Sequence, residues 1–432
     1  MTDTAPTPSR IAGSGLPAEG LAALDSAPVE TRALPTSPTS AAGVRDSAWH
    51  LDDLWLPAVV LHEDALTHNL GRFHDWGAEY GVSLAPHGKT TMSPHLWSAQ
   101  LAEGAWGITA ANAAQARVMR RYGVGRVLIA NEVLDPVQIS WLAGTLAEPG
   151  FEPYCLVDSH AGVELMERHL EGAKRPLPVL VELGVPGRRT GVRGVDEAVA
   201  LALRVAASNR LHLAGIEGYE GVLPQRRDAE APATARDWLA DLTAVVIRAD
   251  ERGAFSGTDE VLVTAGGSGY PDLAAAALTG LPALSRPVRP VVRSGCYITH
   301  DDLSFERSSP LRSEAASDPL RPALSCFARV LSCPEPGLAL LAVGKRDVPY
   351  DIDLPVPRAF RRDGSRLPLD GRARVTELND HHAFVSAQAD LPEVGDTVEL
   401  GLSHPCTTFD KWPLLPVLDH RERVVDAVRT LF

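Results

Sequence analysis

The sequence has few cysteines, no long apolar run and no excess of basic residues. The five cysteines among 432 residues are odd in number and scattered along the chain (Cys155, Cys296, Cys326, Cys333 and Cys406). This usage argues against a disulfide framework and suits a reducing cytoplasm, where thiols stay free or bind metal. We therefore expect a cytoplasmic protein.

Two classes of partner are not expected. No apolar run approaches the roughly 20 residues needed to span a bilayer, and the first twenty residues lack the cationic start and apolar core of a secretory signal. The formal net charge of -14 argues against binding to a nucleic-acid backbone. Small anionic ligands stay compatible with this charge, because local backbone amides can bind them.

The composition and the secondary-structure pattern of the sequence change twice along the chain. Residues 1–48 are rich in Ala, Pro, Ser and Thr without a sustained period, which predicts a flexible N-terminal extension with a short helix around Leu16 to Leu24. Beyond them, short strands alternate with amphipathic helices, the pattern of parallel βαβ units. Near eight such units favour a closed (β/α)₈ TIM-like barrel over an open sheet, and we assign it to residues 49–298.

A smaller C-terminal all-β domain is predicted for residues 299–432. Segments such as "GLALLAVG", "GRARVTELND" and "DTVELGLSH" read as strands joined by Pro, Gly and Asp turns. The change is gradual, so the boundary lies between about 290 and 305. The first strand, Leu56–His62, could pair with this second domain instead of the barrel.

Lys89 is the first candidate for chemistry. It stands in "SLAPHGKTTMSP", directly after a predicted strand, and chemistry in such barrels sits at the carboxyl ends of the strands. Most lysines in that position are simply solvated. A lysine inside a barrel mouth, with its pKa lowered by desolvation, can instead form a Schiff base with an aldehyde.

Glycine and tyrosine mark two further strand ends. In "VTAGGSGY", Gly266, Gly267 and Ser268 could direct backbone N–H groups and a hydroxyl at an anion, or could form a plain tight turn. In "GIEGYEG", Tyr219 could stack on a planar ligand, although a core tyrosine is the more frequent explanation.

Two other segments carry basic and metal-binding side chains. In "GRRTGVR", Arg188 or Arg189 could hold a ring nitrogen or a carboxylate, or remain solvated. In "GLSHPCTTFDKW", His404 and Cys406 lie two apart, which places both on one face of an extended segment. Imidazole and thiolate suit zinc, and two protein ligands would leave open positions for water or substrate. A buried thiol beside a polar turn is the alternative.

Taken together, these motifs resemble the fold-type III pyridoxal-phosphate (PLP) enzymes related to alanine racemase. More closely they resemble the D-serine dehydratase and D-threonine aldolase branch. The matching segments occur in the expected order over roughly residues 55–415: "PHGKT", "RTGV", "GYEG", "AGGSG", "RSGCYITHD" and "SHPC". The sequence departs from the family at "ELGVPGRRTG", where Glu182 and two extra residues leave the choice between Arg188 and Arg189 open.

The resemblance implies roles for ten residues. It implies that Lys89 forms the Schiff base with PLP beside His87, and that the phosphate rests on the glycine turn of Gly266, Gly267 and Ser268. It also implies that Tyr219 and Tyr297 line the pocket near Arg189. Zinc would bind to His404 and Cys406. The resemblance also implies a homodimer.

The function we expect is a PLP- and zinc-dependent D-serine dehydratase, or a related β-hydroxy-D-amino acid ammonia-lyase. The aldolase branch typically has Asp where this sequence has Cys406, which favours the dehydratase. A D-threonine aldolase stays open, as do D-threonine and 3-hydroxyaspartate as substrates. A racemase also stays open, although it would need a second base that no motif identifies. A non-catalytic PLP-binding protein stays open as well, although the extra β domain with "SHPC" argues against it. A purely structural zinc module is disfavoured, because two ligands seldom suffice.

Overall fold

The computed structural model describes residues 14–37, 39–387 and 392–432. Its strands are β1 (Ala58–His62), β2 (Ser83–Leu84), β3 (Ile108–Ala110), β4 (Arg126–Glu132), β5 (Glu152–Val157), β6 (Leu177–Leu183), β7 (Leu211–Gly218), β8 (Val261–Ala265), β9 (Val288–Val292), β10 (Leu324–Glu335), β11 (Leu338–Leu341), β12 (Val356–Arg362), β13 (Ser365–Pro368), β14 (Ala373–Leu378), β15 (Ala383–Ala387), β16 (Thr397–Gly401), β17 (Leu414–Leu418) and β18 (Val424–Arg429).

The helices lie mostly between the parallel strands. They are α1 (Ala18–Ser26), α2 (Ala41–Arg45), α3 (Glu63–Tyr80), α4 (Pro94–Ala102), α5 (Ala113–Arg121), α6 (Pro136–Thr145), α7 (His160–His169), α8 (Val195–Ala206), α9 (Glu230–Glu251), α10 (Pro271–Thr279), α11 (Ser304–Ser308) and α12 (Cys406–Phe409). None of the helices in the described ranges is long and apolar enough to cross a membrane.

Strands β2 to β9 form the predicted barrel. They pair in parallel in the order β2-β9-β8-β7-β6-β5-β4-β3. The two ends of this sheet meet, because the N–H of Trp106 donates to Leu84 O at 2.7 Å and the N–H of Thr109 donates to Pro86 O at 2.8 Å. Helices cover the outside, and a separate apolar cluster fills the inside (Leu128, Leu156, Leu180, Ala214 and Leu262). The (β/α)₈ prediction is confirmed.

The remaining strands form an antiparallel-rich β domain. Its main sheet runs β13-β12-β16-β10-β1-β17-β18, and β11, β14 and β15 extend it from β10. Strand β1 pairs antiparallel with β10 and parallel with β17. The first strand of the sequence therefore belongs to this domain, as the sequence allowed. After the barrel, the β sheet resumes at Leu324.

The N-terminal segment differs from the flexible extension expected from its composition. Helix α1 lies where a short helix was predicted, and α2 packs on β18. Leu34 and Val44 are buried in the apolar core of the β domain, with 2% and 0% of their surface exposed. Asp25 accepts hydrogen bonds from His95 at 2.7 Å and from Arg45. The apolar residues of this segment are scattered, and they are buried only against the β sheet. The sequence therefore shows no period that would predict their burial. Residues 1–13 and 38 lie outside the described residues.

We expect Leu34→Ala to destabilise the protein by about 2–5 kcal/mol, because the substitution leaves a cavity in a filled core. The matched control is Leu331→Ala on β10, where 48% of the side chain is exposed, and its change should stay within about 0.5 kcal/mol. Urea unfolding of both variants measures the difference. Equal midpoints for the two variants would show that the segment around Leu34 is not packed in solution.

Candidate active site

A cavity of about 350 Å³ opens at the carboxyl ends of the barrel strands. Loops after β2, β6, β7, β8 and β9 line it on one side, and the β domain closes it on the other. The sequence-predicted residues among its lining are His87, Lys89, Arg189, Tyr219, Gly266, Gly267, Ser268, His404 and Cys406. Nine of the ten predicted residues thus meet in one place.

Lys89 lies in a short turn after β2, at the mouth of the barrel. Its side chain is half-buried, and its ammonium forms no ion pair within the described residues. Beside it, the Nδ1 atom of His87 is buried without a hydrogen-bond partner there. Burial, together with the charges of Lys89, Arg293 and Arg189, holds the pKa of His87 well below its usual value. The cavity therefore contains a free amine next to a neutral imidazole.

The glycine turn after β8 is built differently from the expectation. Gly266 has a φ of 91°, which favours glycine. A Cβ on Gly267 would lie 2.8 Å from the Tyr219 ring. The N–H groups of Gly266 and Gly267 donate to the buried carboxylate of Glu220 at 3.0 and 2.6 Å. These two amides therefore already have an acceptor, and their direct binding of a phosphate stays a prediction.

Neighbouring amides remain free for an anion. Among the described residues, the N–H groups of Ser268, Gly269 and Gly295 have no hydrogen-bond acceptor. The hydroxyl of Ser268 lies beside them and accepts from the N–H of Cys296 at 3.4 Å. Unpaired buried amides are costly, and several that converge with a hydroxyl form an anion site. This part of the cavity fits the phosphate of PLP.

Arg189 and Tyr219 form one wall of the cavity. The Arg189 guanidinium lies over the Tyr219 ring, 4.5 Å from its centroid. Burial and the negative charge of Glu220 raise the pKa of Tyr219 to about 12, so the phenol stays protonated. Arg189 lines the cavity and Arg188 does not. The arginine that the sequence left open is therefore Arg189.

Tyr297 lies outside this cavity, contrary to the expectation. Its ring stacks on Phe73 of α3, with 4.1 Å between the ring centroids. Its hydroxyl accepts a hydrogen bond from Gln100 at 3.2 Å. Tyr297 follows β9 through a tight turn that directs its side chain toward the α3 and α4 packing layer. It contributes to the support of the site and not to its lining.

His404 and Cys406 are brought to the cavity by the β domain. Nδ1–H of His404 donates to Asp351 at 2.5 Å, and the sulfur of Cys406 lies 3.5 Å from Thr90 Oγ1. Hydrogen bonds from Cys296, His404 and Thr90 lower the pKa of Cys406 well below its usual value. A thiolate beside an imidazole whose other nitrogen is fixed by a carboxylate is a donor set that suits zinc.

Two buried carboxylates hold the loop that carries these donors. Asp301, just after the barrel, accepts the backbone N–H of His404 at 3.2 Å. Asp302 accepts the N–H of Leu402 at 3.0 Å and pairs with Arg358 of β12. The last segment of the barrel chain therefore positions the loop that carries His404 and Cys406.

Sequence reasoning missed several residues of the site. Glu220 and Cys296 stand inside quoted motifs, but nothing in the sequence shows which amides or sulfurs they meet. Thr90 also stands inside a quoted motif, "PHGKT", but its contact with Cys406 spans 316 positions. Asp351 carries no motif signal, and its contact with His404 spans 53 positions. Arg293 donates to Thr264 Oγ1 at 2.6 Å and pairs with Glu217, an ion pair that only the barrel topology creates.

The barrel also holds a pair of acids below the cavity. Glu132 at the end of β4 lies beside Glu182 of β6, and burial and this neighbouring carboxyl group raise the pKa of Glu132 to about 9. No donor from the described residues reaches either oxygen of Glu132 or Oε2 of Glu182. Glu132 is therefore protonated at neutral pH.

Two family models match the chain. The model "Alanine racemase, N-terminal domain" matches residues 61–258, and the model "Putative serine dehydratase domain" matches residues 323–418. Together they cover the barrel and the β domain. The chain belongs to the fold-type III PLP enzymes. The family depends on PLP, and the free amides, free amine and cationic side chains of the cavity fit that cofactor.

Curated relatives of this fold-type III enzyme are lyases. A D-threonine aldolase from Arthrobacter sp. is 27% identical over 378 residues, which is 86% of this chain and 90% of that protein. A D-threo-3-hydroxyaspartate dehydratase from Delftia sp. is 24% identical over 376 residues, 84% of this chain and 93% of that protein. The crystal structure of a D-threonine aldolase from Filomicrobium marinum has a TM-score of 0.73 and 26% identity, and covers 89% of this chain and 97% of its own. The relationship to an aldolase and a dehydratase supports an enzyme.

We expect Asp351→Asn to weaken zinc binding about 10–100-fold, because the carboxylate orients the imidazole of His404 and strengthens it as a ligand. Competition titrations with a chromogenic chelator measure the affinity. The control is Asp363→Asn in an exposed turn of the same domain, which should bind zinc like the parent. An unchanged affinity in Asp351→Asn would separate Asp351 from the metal site.

The Glu132–Glu182 pair predicts a pH dependence of stability. The folded-state pKa of Glu132, about 9, lies above its ordinary value of 4.5. The contribution of Glu132 to the stability of the fold is therefore fully present below pH 4.5 and is lost as the pH rises through 9. Glu132→Gln donates a hydrogen bond to Glu182 at every pH, so its melting temperature should exceed that of the parent at pH 9. Thermal melts of the parent and the variant at pH 6 and 9 test this, with the exposed Glu171→Gln variant as control. The same change in melting temperature between pH 6 and 9 for Glu132→Gln and the parent would contradict it.

Proposed function

We propose that this enzyme is a PLP- and zinc-dependent D-serine dehydratase, or acts on a closely related β-hydroxy-D-amino acid to give a 2-oxo acid and ammonia. The observation that carries the proposal is that Lys89 and the His404–Cys406 pair line one cavity. The sulfur of Cys406 lies 3.5 Å from the hydroxyl of Thr90, the residue next to Lys89. A base and a metal site are thus close enough to act on adjacent carbons of one small substrate.

Lys89 is the base in this proposal. PLP, when bound, supplies an electron sink that acidifies the α-carbon of an amino acid. The amine of Lys89 has no carboxylate partner among the described residues, and it is the group that would accept the α-proton there. A proton taken from one face only makes the reaction selective for one enantiomer. The relatives that act on D-amino acids favour the D-enantiomer.

His404 and Cys406 would hold the metal. A zinc ion there would supply a Lewis acid for the β-hydroxyl, which is a poor leaving group without one. The imidazole and thiolate favour zinc over magnesium or calcium, which prefer oxygen ligands. One solved D-threo-3-hydroxyaspartate dehydratase, a cysteine-to-alanine mutant, is described as being in the metal-free form, which fits a metal site in that relative. The role of Asp351 is to fix the imidazole so that its second nitrogen faces the site.

Retro-aldol cleavage is the main rival. The D-threonine aldolase of Arthrobacter sp. is 27% identical and the dehydratase of Delftia sp. is 24% identical, so identity alone favours neither reaction. Cys406 favours the dehydratase, because the aldolase branch typically has Asp at this position. A non-catalytic PLP carrier would not need the thiol–imidazole pair beside Lys89.

We expect the purified enzyme, supplied with PLP and zinc, to release pyruvate and ammonia from D-serine and neither product from L-serine. Coupled assays of 2-oxo acid, ammonia and aldehyde on D- and L-serine, D- and L-threonine and D-3-hydroxyaspartate measure the products. Glycine and acetaldehyde from D-threonine, without 2-oxo acid from any substrate, would instead establish the aldolase. No turnover of any of them would support a carrier.

The same assay applies to three variants. Lys89→Ala should lose the visible absorbance of the lysine-bound cofactor and at least about 10²–10⁴-fold in rate. His404→Ala and Cys406→Ala should keep that absorbance and lose elimination, because they affect the metal and not the cofactor anchor. Parent rates in metal-stripped Cys406→Ala would remove the metal from the mechanism.

A further inference from the structure

We propose that Cys296 is a third ligand of the metal, so that the site is formed by one imidazole and two thiolates. The inference rests on the proposed metal role of His404 and Cys406, and it concerns a residue that the motif itself does not include. Cys296 follows β9 in the segment "RSGCY", 110 positions before Cys406. It lines the same cavity as Lys89, His404 and Cys406.

The spacing of the two sulfurs is the first argument. Sγ of Cys296 lies 3.8 Å from Sγ of Cys406. Two thiolates bound to one tetrahedral zinc at about 2.3 Å each lie about 3.8 Å apart, from the tetrahedral angle alone. Both cysteines are free thiols, and the spacing is far beyond the roughly 2.05 Å of a disulfide. The sulfurs therefore already have the separation that a shared zinc requires.

The surroundings of the sulfurs are the second argument. Thr90 Oγ1 lies 3.5 Å from the sulfur of Cys406 and 3.8 Å from that of Cys296. His404 bonds to Asp351 through Nδ1 and hydrogen bonds with Cys406 through its side chain. In space, the side chain of Cys406 thus lies between those of His404 and Cys296.

The side chains of His404, Cys406 and Cys296 do not yet converge on one position for a metal ion. In the described residues, no group of three or more His, Cys, Asp or Glu side chains is already arranged to hold a metal ion. The two sulfurs are the preformed part, and rotation of the imidazole or the thiols has to complete the set. The same sulfur spacing also suits an S–H···S hydrogen bond, and the experiment must distinguish the two.

Three protein ligands change what the metal can do. A tetrahedral ion with one imidazole and two thiolates keeps one open position, the pattern of catalytic zinc sites. The two soft ligands strengthen the preference for zinc over manganese and magnesium. A single open position accepts one oxygen atom, such as the β-hydroxyl of serine, and leaves no second position for chelation by a β-carboxylate.

Metal spectroscopy on the full-length holoenzyme tests the proposal without turnover. X-ray absorption of the zinc-loaded parent, kept under dithiothreitol, should show two sulfur ligands per zinc. In the cobalt-substituted enzyme, Cys296→Ser should lose about half of the thiolate-to-cobalt charge-transfer intensity and weaken zinc binding at least about tenfold. Cys406→Ser should behave similarly and the double variant should lose the band. Cys333→Ser, at an exposed position of β10, is the matched control.

The outcomes separate this inference from the proposed function. One sulfur per zinc in the parent, or full charge-transfer intensity in Cys296→Ser with none in Cys406→Ser, would overturn the role of Cys296. The count of sulfurs in the parent does not depend on whether any variant folds. If the enzyme cleaves D-threonine instead of dehydrating D-serine, two sulfurs per zinc would still establish the three-ligand site.

Discussion

The site depends on one contact between the two halves of the molecule, where Cys406 of the β domain meets Thr90 at the mouth of the barrel. The proposed reaction at two adjacent carbons would tolerate little movement between base and metal. The chain holds this contact from two sides. Strand β1 is held inside the β sheet and continues directly into α3 of the barrel. At the other end, Asp301 and Asp302 leave the barrel and immediately bind the loop before α12.

Charge is distributed to match that arrangement. The chain as a whole is acidic, yet the described lining of the cavity includes Lys89, Arg189 and Arg293 and no carboxylate. The acids nearby are engaged just outside it: Glu217 pairs with Arg293 and Glu220 accepts the amides of the glycine turn. Burial raises the pKa of Glu217 to about 8, although the charge of Arg293 opposes this shift. The cavity is therefore cationic in an acidic protein, which fits the phosphate of PLP.

The sequence predicts the fold and the members of the site better than their contacts. Strand–helix alternation gives the barrel, and residues at the ends of its strands must converge, which is why Lys89, Arg189, Tyr219 and Ser268 were found. Contacts that depend on side-chain direction were not found. Tyr297 turns toward Phe73, and Glu220 takes the amides expected for the phosphate. The packing of residues 14–48 was missed for a related reason, since their apolar side chains are sparse and need a distant sheet to bury them.

The groups in the cavity that can accept a proton limit the reactions that the site can catalyse. Tyr219, with a pKa of about 12, stays protonated, and burial among cations makes the imidazole of His87 a weak base. His404 is engaged with Asp351 and Cys406. Lys89 is the remaining base among the described lining residues. Racemisation needs a base on each face of the α-carbon, whereas β-elimination and retro-aldol cleavage need a base and a group that manages the β-oxygen. One strong base opposite a sulfur-rich donor set therefore favours cleavage at the β-carbon over inversion at the α-carbon.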